Sequence, residues 1–137
     1  MRVVLDANIF VSAAIQAGPS HRVVQRWLRT GSFEVILCPE LLAEVTEVLT
    51  ERPRLRRWID LEAAEQFVRT VRTVADLVPD PEQTEVMTRD RDDDYLVALA
   101  RDHDADFIVT GDRDLLDWHE QRPPVITPAA FEALLDT

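Results

Sequence analysis

The stretch that decides the fold is RVVLD at residues 2–6, and it is matched by FIVTGD at residues 107–112. Each is a short apolar run that ends in an aspartate, which is typical of a buried strand that delivers a carboxylate at its carboxyl end. We therefore predict strands at 2–5 and 107–110. Because the carboxyl ends of parallel strands line the crevice where ligands bind, Asp6 and Asp112 are expected at one sheet edge.

Helices and further strands alternate along the rest of the chain. Further strands are predicted at 33–37 and 125–126 from apolar runs bounded by turn residues. Helical spacing and end signals predict helices at 9–15, 20–29 with Ser20 as the N-cap, 39–51, 61–76, from 92 onward, from 114 and 128–135. Residues 78–91 lack any period and are predicted to form an exposed loop. This order predicts a three-layer α/β sandwich, a mostly parallel central sheet flanked by helices.

Composition limits the class of protein. The 137 residues fit one domain, and 46% of them are hydrophobic, enough for a sizeable core. The single cysteine, Cys38, excludes an intramolecular disulfide, and no apolar run is long enough to span a bilayer, so we expect a cytoplasmic protein. The net charge of −11, with every basic side chain an arginine or histidine, argues against a bulk nucleic-acid scaffold. It leaves open a metal-dependent nuclease, because bound divalent cations reverse the local sign.

Two further carboxylates are predicted to join Asp6 and Asp112. Glu44 lies beside the apolar stripe of the helix at 39–51, and Asp94 opens the helix that follows 92. Unit charges about 4 Å apart repel by roughly 4 kcal/mol at an effective dielectric of 20, so such a cluster requires cations or shared protons. Oxygen-only ligands select hard cations, which here means Mg²⁺ or Mn²⁺. Metal-assisted hydrolysis of a phosphodiester is the chemistry that this arrangement favours.

Four segments in order resemble the PIN domain family, and within it the VapC-type toxins. They are VVLDANIFVS at 3–12, PELLAEV at 39–45, DDDYLVALA at 92–100 and IVTGDRDLL at 108–116, with ITPAAF at 126–131 closing the likeness. The resemblance implies a single PIN domain over 1–137 and a Mg²⁺-dependent endoribonuclease. Its four family acids would be Asp6, Glu44, Asp94 and Asp112, with Asp6 and Asp94 as the primary metal ligands. It also implies an RNA substrate, a homodimer and a cognate antitoxin that blocks the acidic crevice.

Several alternatives stay open from the sequence. Asp93 competes with Asp94 for the third acid, and Asp114 either supports a metal or caps the following turn. Asn8, Ser12 and Thr110 either contact water or phosphate or serve as local caps. The strongest rival function is a non-catalytic PIN-like module that binds RNA or a partner. A different phosphohydrolase and a flap nuclease are further rivals.

The most basic stretch also has two interpretations. Arginines at 52, 54, 56 and 57 either contact the RNA backbone or form a solvated surface. Trp27, Trp58 and Trp118 either stack on bases or pack at helix ends or a dimer seam.

Overall fold

The computed structural model describes residues 1–82 and 91–137. Its strands are β1 (Arg2–Leu5), β2 (Glu34–Leu37), β3 (Asp76–Leu77), β4 (Phe107–Val109) and β5 (Val125–Ile126). Its helices are α1 (Ala7–Ile15), α2 (Pro19–Thr30), α3 (Pro39–Glu51), α4 (Leu61–Val74), α5 (Arg91–Asp102), α6 (Arg113–Leu116) and α7 (Pro128–Leu135). A 3-10 helix at Pro53–Arg57 joins α3 to α4.

The five strands form a parallel sheet in the order β3-β2-β1-β4-β5. The chain moves from β1 to β2 and β3 on one side, then crosses to β4 and β5 on the other. The strand order therefore reverses at β1, and the crevice beside its carboxyl end is where ligands bind in open α/β sheets. The predicted α/β sandwich is confirmed.

Helices cover the sheet on both faces. α1 packs against α2 and α3, and α3 packs against α4, whereas α5 packs on β1 and β4. Crossovers between parallel strands are right-handed, and the connection from β3 through α5 to β4 runs back across the sheet. α5 therefore lies on the face of the sheet opposite to α1. β1 is the centre of the core, with Val3, Val4 and Leu5 fully buried. Within the described ranges no helix is both long and apolar enough to cross a bilayer.

Several element boundaries differ from the sequence prediction, most of them by one or two residues. The second helix begins at Pro19 with Gly18 as its N-cap, not at Ser20, because proline suits the first helical position. The helix predicted to 76 ends at Val74, and Asp76–Leu77 forms β3. This strand was missed because both of its residues are exposed and leave no apolar pattern. Most of the loop predicted at 78–91 lies outside the described residues.

Candidate active site

Asp6 is fixed at the junction between the central strand and the first helix. It follows β1 directly and is the N-cap of α1, where its Oδ1 accepts a hydrogen bond from the backbone N–H of Ile9 at 3.0 Å. Its own N–H donates to the carbonyl of Val109 in the neighbouring strand at 3.2 Å. The side chain is only 6% exposed. Helix capping and strand pairing together therefore hold this carboxylate at the sheet edge.

Thr110 links the two strand-end carboxylates. Its side chain is completely buried, and its hydroxyl donates a hydrogen bond to Oδ2 of Asp6. The hydroxyl oxygen of Thr110 also accepts a hydrogen bond from the backbone N–H of Asp112 at 3.0 Å. Asp112 in turn caps α6, because its Oδ1 accepts from the N–H of Asp114 at 2.9 Å. The Thr-Gly-Asp turn thereby fixes Asp112 relative to Asp6.

A small cavity of about 140 Å³ lies at this edge of the sheet. Four carboxylates from four elements line it, together with a few neighbouring side chains; the described lining residues are Asp6, Ala7, Asn8, Glu44, Asp93, Tyr95, Leu96 and Asp112. None of these lining residues is basic. Glu44 comes from the second turn of α3 and is exposed, whereas Asp112 is half-buried. The structure thus brings Asp6, Glu44 and Asp112 to one cavity.

Of the two aspartates considered for the third acid, one lines the cavity. Asp93 lines the cavity, whereas Asp94 is buried and is not among the described residues that line it. Successive residues of an α-helix point about 100° apart, so two adjacent side chains do not face the same point. The packing of α5 on β1 and β4 sets the rotation that turns Asp93 toward the cavity. The geometry therefore favours Asp93 over Asp94 at this position.

The other polar residues considered near the cluster divide into two groups. Asn8 is exposed and lines the cavity. Ser12 lies one turn further along α1, where its hydroxyl accepts from Nε2 of Gln16 at 3.0 Å, and it is not among the described lining residues. The sequence did not predict that Thr110 bridges Asp6 and Asp112, although the position of Thr110 two residues before Asp112 was a signal for such a contact.

A larger surface cleft lies away from these carboxylates. Its volume is about 1240 Å³, and it lies between the last turns of α5 and the connection from α6 to β5. It shares no described lining residue with the acidic cavity. Size alone therefore does not locate the candidate active site, whereas the convergence of titratable groups does.

A family model described as PIN domain matches residues 2–114. The chain belongs to the PIN domain family. Members of this family are generally nucleases. A search of curated proteins finds no match to this PIN domain.

Solved structures share the fold of this PIN domain at low identity. The crystal structure of PAE2754 from Pyrobaculum aerophilum has a TM-score of 0.63 at 17% identity, covering 100% of this chain and 91% of the other. A crystal structure of VapBC2 from Rickettsia felis, bound to a DNA fragment from their promoter, has a TM-score of 0.60 at 12% identity. That match covers 93% of this chain and 97% of the other. Both confirm the predicted PIN-like architecture.

The electrostatics of the PIN domain cavity centre on Asp6. Burial raises the pKa of its carboxyl above the ordinary value, and the charge of Asp112 raises it further. Hydrogen bonds from Thr110 and from the backbone of Ile9 and Asn8 act in the opposite direction and lower the pKa. An ionised Asp6 beside other carboxylates is therefore unfavourable until a cation balances the charge.

The donor set of the PIN domain suits a hard divalent cation. The cavity offers carboxylate and amide oxygens, which are the ligands that Mg²⁺ and Mn²⁺ prefer. As they stand, the described residues include no group of three or more histidine, cysteine, aspartate or glutamate side chains arranged around one metal position. A thiolate mechanism is disfavoured, because burial raises the pKa of Cys38 to about 12 and keeps its thiol protonated.

Proposed function

We propose that this PIN domain is a Mg²⁺- or Mn²⁺-dependent endoribonuclease that hydrolyses RNA phosphodiesters at the acidic cavity. The observation that carries the proposal is that four carboxylates from four elements line one cavity of about 140 Å³ at the carboxyl edge of β1; they are Asp6, Glu44, Asp93 and Asp112. The whole of 1–137 is taken as one such domain. Asp93 replaces Asp94 in the set of acids expected from the sequence.

The four acids have different environments and therefore different roles in the proposal. Asp6 is buried and hydrogen-bonded through both oxygens, so it supplies a fixed ligand with little freedom to move. Asp93 is also buried and complements it as the other primary ligand. Glu44 is exposed and Asp112 half-buried, which leaves them able to orient water and phosphate oxygens. A bound divalent cation would supply Lewis-acid activation of the phosphate and lower the pKa of a water molecule.

We further propose that the protein is the toxin of a toxin–antitoxin pair and acts in the cytoplasm as a homodimer. The resemblance of its motifs to VapC-type toxins supports this role, as does the fold shared with the VapBC2 structure. A cognate antitoxin with an arginine side chain would fit the acidic cavity, because a guanidinium pairs well with carboxylates. Such a partner would block the site by occupying the place of the cations.

The experiment compares the wild type with Asp6→Asn on end-labelled single-stranded RNA, structured RNA and duplex DNA. Each substrate is incubated with Mg²⁺, Mn²⁺ or EDTA, and the products are sized to separate internal cuts from trimming. We expect internal RNA cleavage that requires the metal and is lost in the variant. Cleavage that persists in EDTA, or that Asp6→Asn leaves intact, would reject the mechanism. RNA binding without cleavage under all conditions would favour the non-catalytic module.

A further inference from the structure

An arginine-rich turn between α3 and α4 has no role in the proposed active site. Residues 52–57 hold four arginines and no acid, in a chain whose net charge is −11. The turn is ordered by Leu55, which is 5% exposed, and by Arg56, whose guanidinium donates to the carbonyl of Leu49. The remaining arginines of this turn are exposed. We call the surface formed by Arg52, Arg54, Arg57 and Trp58 the arginine tip.

Among the residues that the structure describes, no carboxylate forms an ion pair with the guanidinium groups of the arginine tip. The four ion pairs among the described residues involve Arg2, Arg22 and Arg26, and none includes the tip. Asp60 is the nearest acid on the α4 side in sequence, but its carboxylate caps α4 by accepting from the N–H of Ala63 at 2.7 Å. Exposed guanidinium groups without carboxylate partners are suited to bidentate contacts with phosphates.

Trp58 adds an aromatic platform beside these cations. It is 55% exposed, more than any other large hydrophobic side chain among the described residues. The guanidinium carbon of Arg57 lies 5.4 Å from the centre of the Trp58 ring, within the range of a cation–π contact. Arginines that contact the backbone and aromatic rings that stack on bases are the combination by which proteins bind single-stranded nucleic acid. The alternative interpretation, a merely solvated surface, accounts for the exposed arginines but not for the exposed Trp58.

We propose that the arginine tip is a binding site for single-stranded RNA, separate from the cleavage cavity. The identity of the polymer rests on the proposed function. Arg52 lies eight positions after Glu44, which is about 12 Å along the axis of α3 at a rise of 1.5 Å per residue. A strand anchored at the tip can therefore reach the cavity over a few nucleotides. The substrate class that follows is RNA with an unpaired segment beside the cleaved bond, because paired bases do not stack on a side chain.

The first test measures binding without cleavage. Fluorescence anisotropy of a short labelled single-stranded RNA is recorded in EDTA over a series of salt concentrations, with the matching RNA duplex in parallel. The double variant Arg54→Gln/Arg57→Gln is compared with Arg29→Gln/Arg72→Gln, which removes the same charge from exposed positions in the last turns of α2 and α4. We expect the tip variant to lower the slope of log K against log salt by about 1.4, since each single-strand phosphate contact contributes about 0.7. Equal effects of the two double variants, or equal binding of duplex, would overturn the proposal.

The second test uses the tryptophan itself. Stacking of a base is worth about 1–3 kcal/mol, so Trp58→Ala is expected to weaken RNA binding at least about fivefold. Trp58→Phe keeps a stacking ring, and should retain most of the affinity while losing the RNA-induced quenching of tryptophan fluorescence. Unchanged affinity in Trp58→Ala would overturn the proposal, and thermal unfolding of each variant checks that it is folded. A tip variant that alters self-association but not RNA binding would instead assign this surface to a second copy of the chain.

The two proposals fail in different ways. If RNA binds in EDTA through the arginine tip but is never cut with Mg²⁺, the endoribonuclease function is wrong and the binding site stands. If RNA is cut with Mg²⁺ but the tip variants bind as tightly as the wild type, the binding site is wrong and the nuclease stands.

Discussion

Replacing Thr110 by valine tests how the acidic site is held together. The hydroxyl of Thr110 is completely buried and bridges the Asp6 carboxylate and the backbone N–H of Asp112. Valine has nearly the same volume but no hydroxyl, so the substitution removes both hydrogen bonds without opening a cavity. The serine variant is the matched control, because it keeps the hydroxyl and loses only a methyl group.

The expected cost follows from these two contacts. When Asp6 is ionised, the hydrogen bond to its carboxylate contributes about 2 kcal/mol, and the bond to the Asp112 amide about 1 kcal/mol more. Thr110→Val should therefore lower the free energy of unfolding by about 3 kcal/mol, or the Tm by about 10 °C for a chain of this size. Thr110→Ser should cost about 1 kcal/mol for the buried methyl group.

Activity supplies an independent measurement. The hydrogen bond from Thr110 lowers the pKa of Asp6, so its loss in Thr110→Val raises that pKa further. A carboxyl that ionises at higher pH binds a cation only at higher pH, and the acidic limb of the pH–activity profile should move upward. Urea denaturation and RNA cleavage across pH are compared for the wild type and both variants. If valine and serine cost the same stability and leave the pH profile in place, the bridging role is wrong.

The remaining predictions concern the acids of the cavity. Asp6→Asn keeps the N-cap oxygen but removes a carboxylate whose pKa is raised by burial. In EDTA, the stability advantage of this variant over the wild type should therefore grow as pH rises through the folded-state pKa of Asp6, and it should vanish at low pH. Denaturation curves at acidic and neutral pH measure this, and parallel pH dependences would contradict it. Mg²⁺ at about 100 times its Kd should stabilise the wild type by about 2.7 kcal/mol and Asp6→Asn far less. Asp93→Asn should abolish metal-dependent cleavage while Asp94→Asn retains more of it, because of these two aspartates only Asp93 is among the described residues that line the cavity. A larger loss of cleavage in Asp94→Asn would restore the sequence assignment.

Most of the fold could be predicted from the sequence, because buried strands leave continuous apolar runs. β1 and β4 are short, almost wholly buried runs, so burial on both faces left continuous apolar stretches that end at Asp6 and at the turn before Asp112. β3 left no such pattern because Asp76 and Leu77 are both exposed. It joins the sheet through backbone pairing with β2 and an ion pair of Asp76 with Arg2 at 2.5 Å. Contacts over that sequence distance are not visible in a local pattern.

The acids of the candidate site were likewise predictable only in part. Asp6 and Asp112 were predictable, because a strand end is a local feature, and Glu44 was predictable from its place beside an apolar helical stripe. The choice between Asp93 and Asp94 was not, since adjacent positions at the start of one helix differ only in rotation about its axis. That rotation is set by how α5 packs on β1 and β4. The sequence by itself determined which acids stand at the carboxyl edge of the sheet, and only the tertiary structure decided which carboxylates face the same cavity.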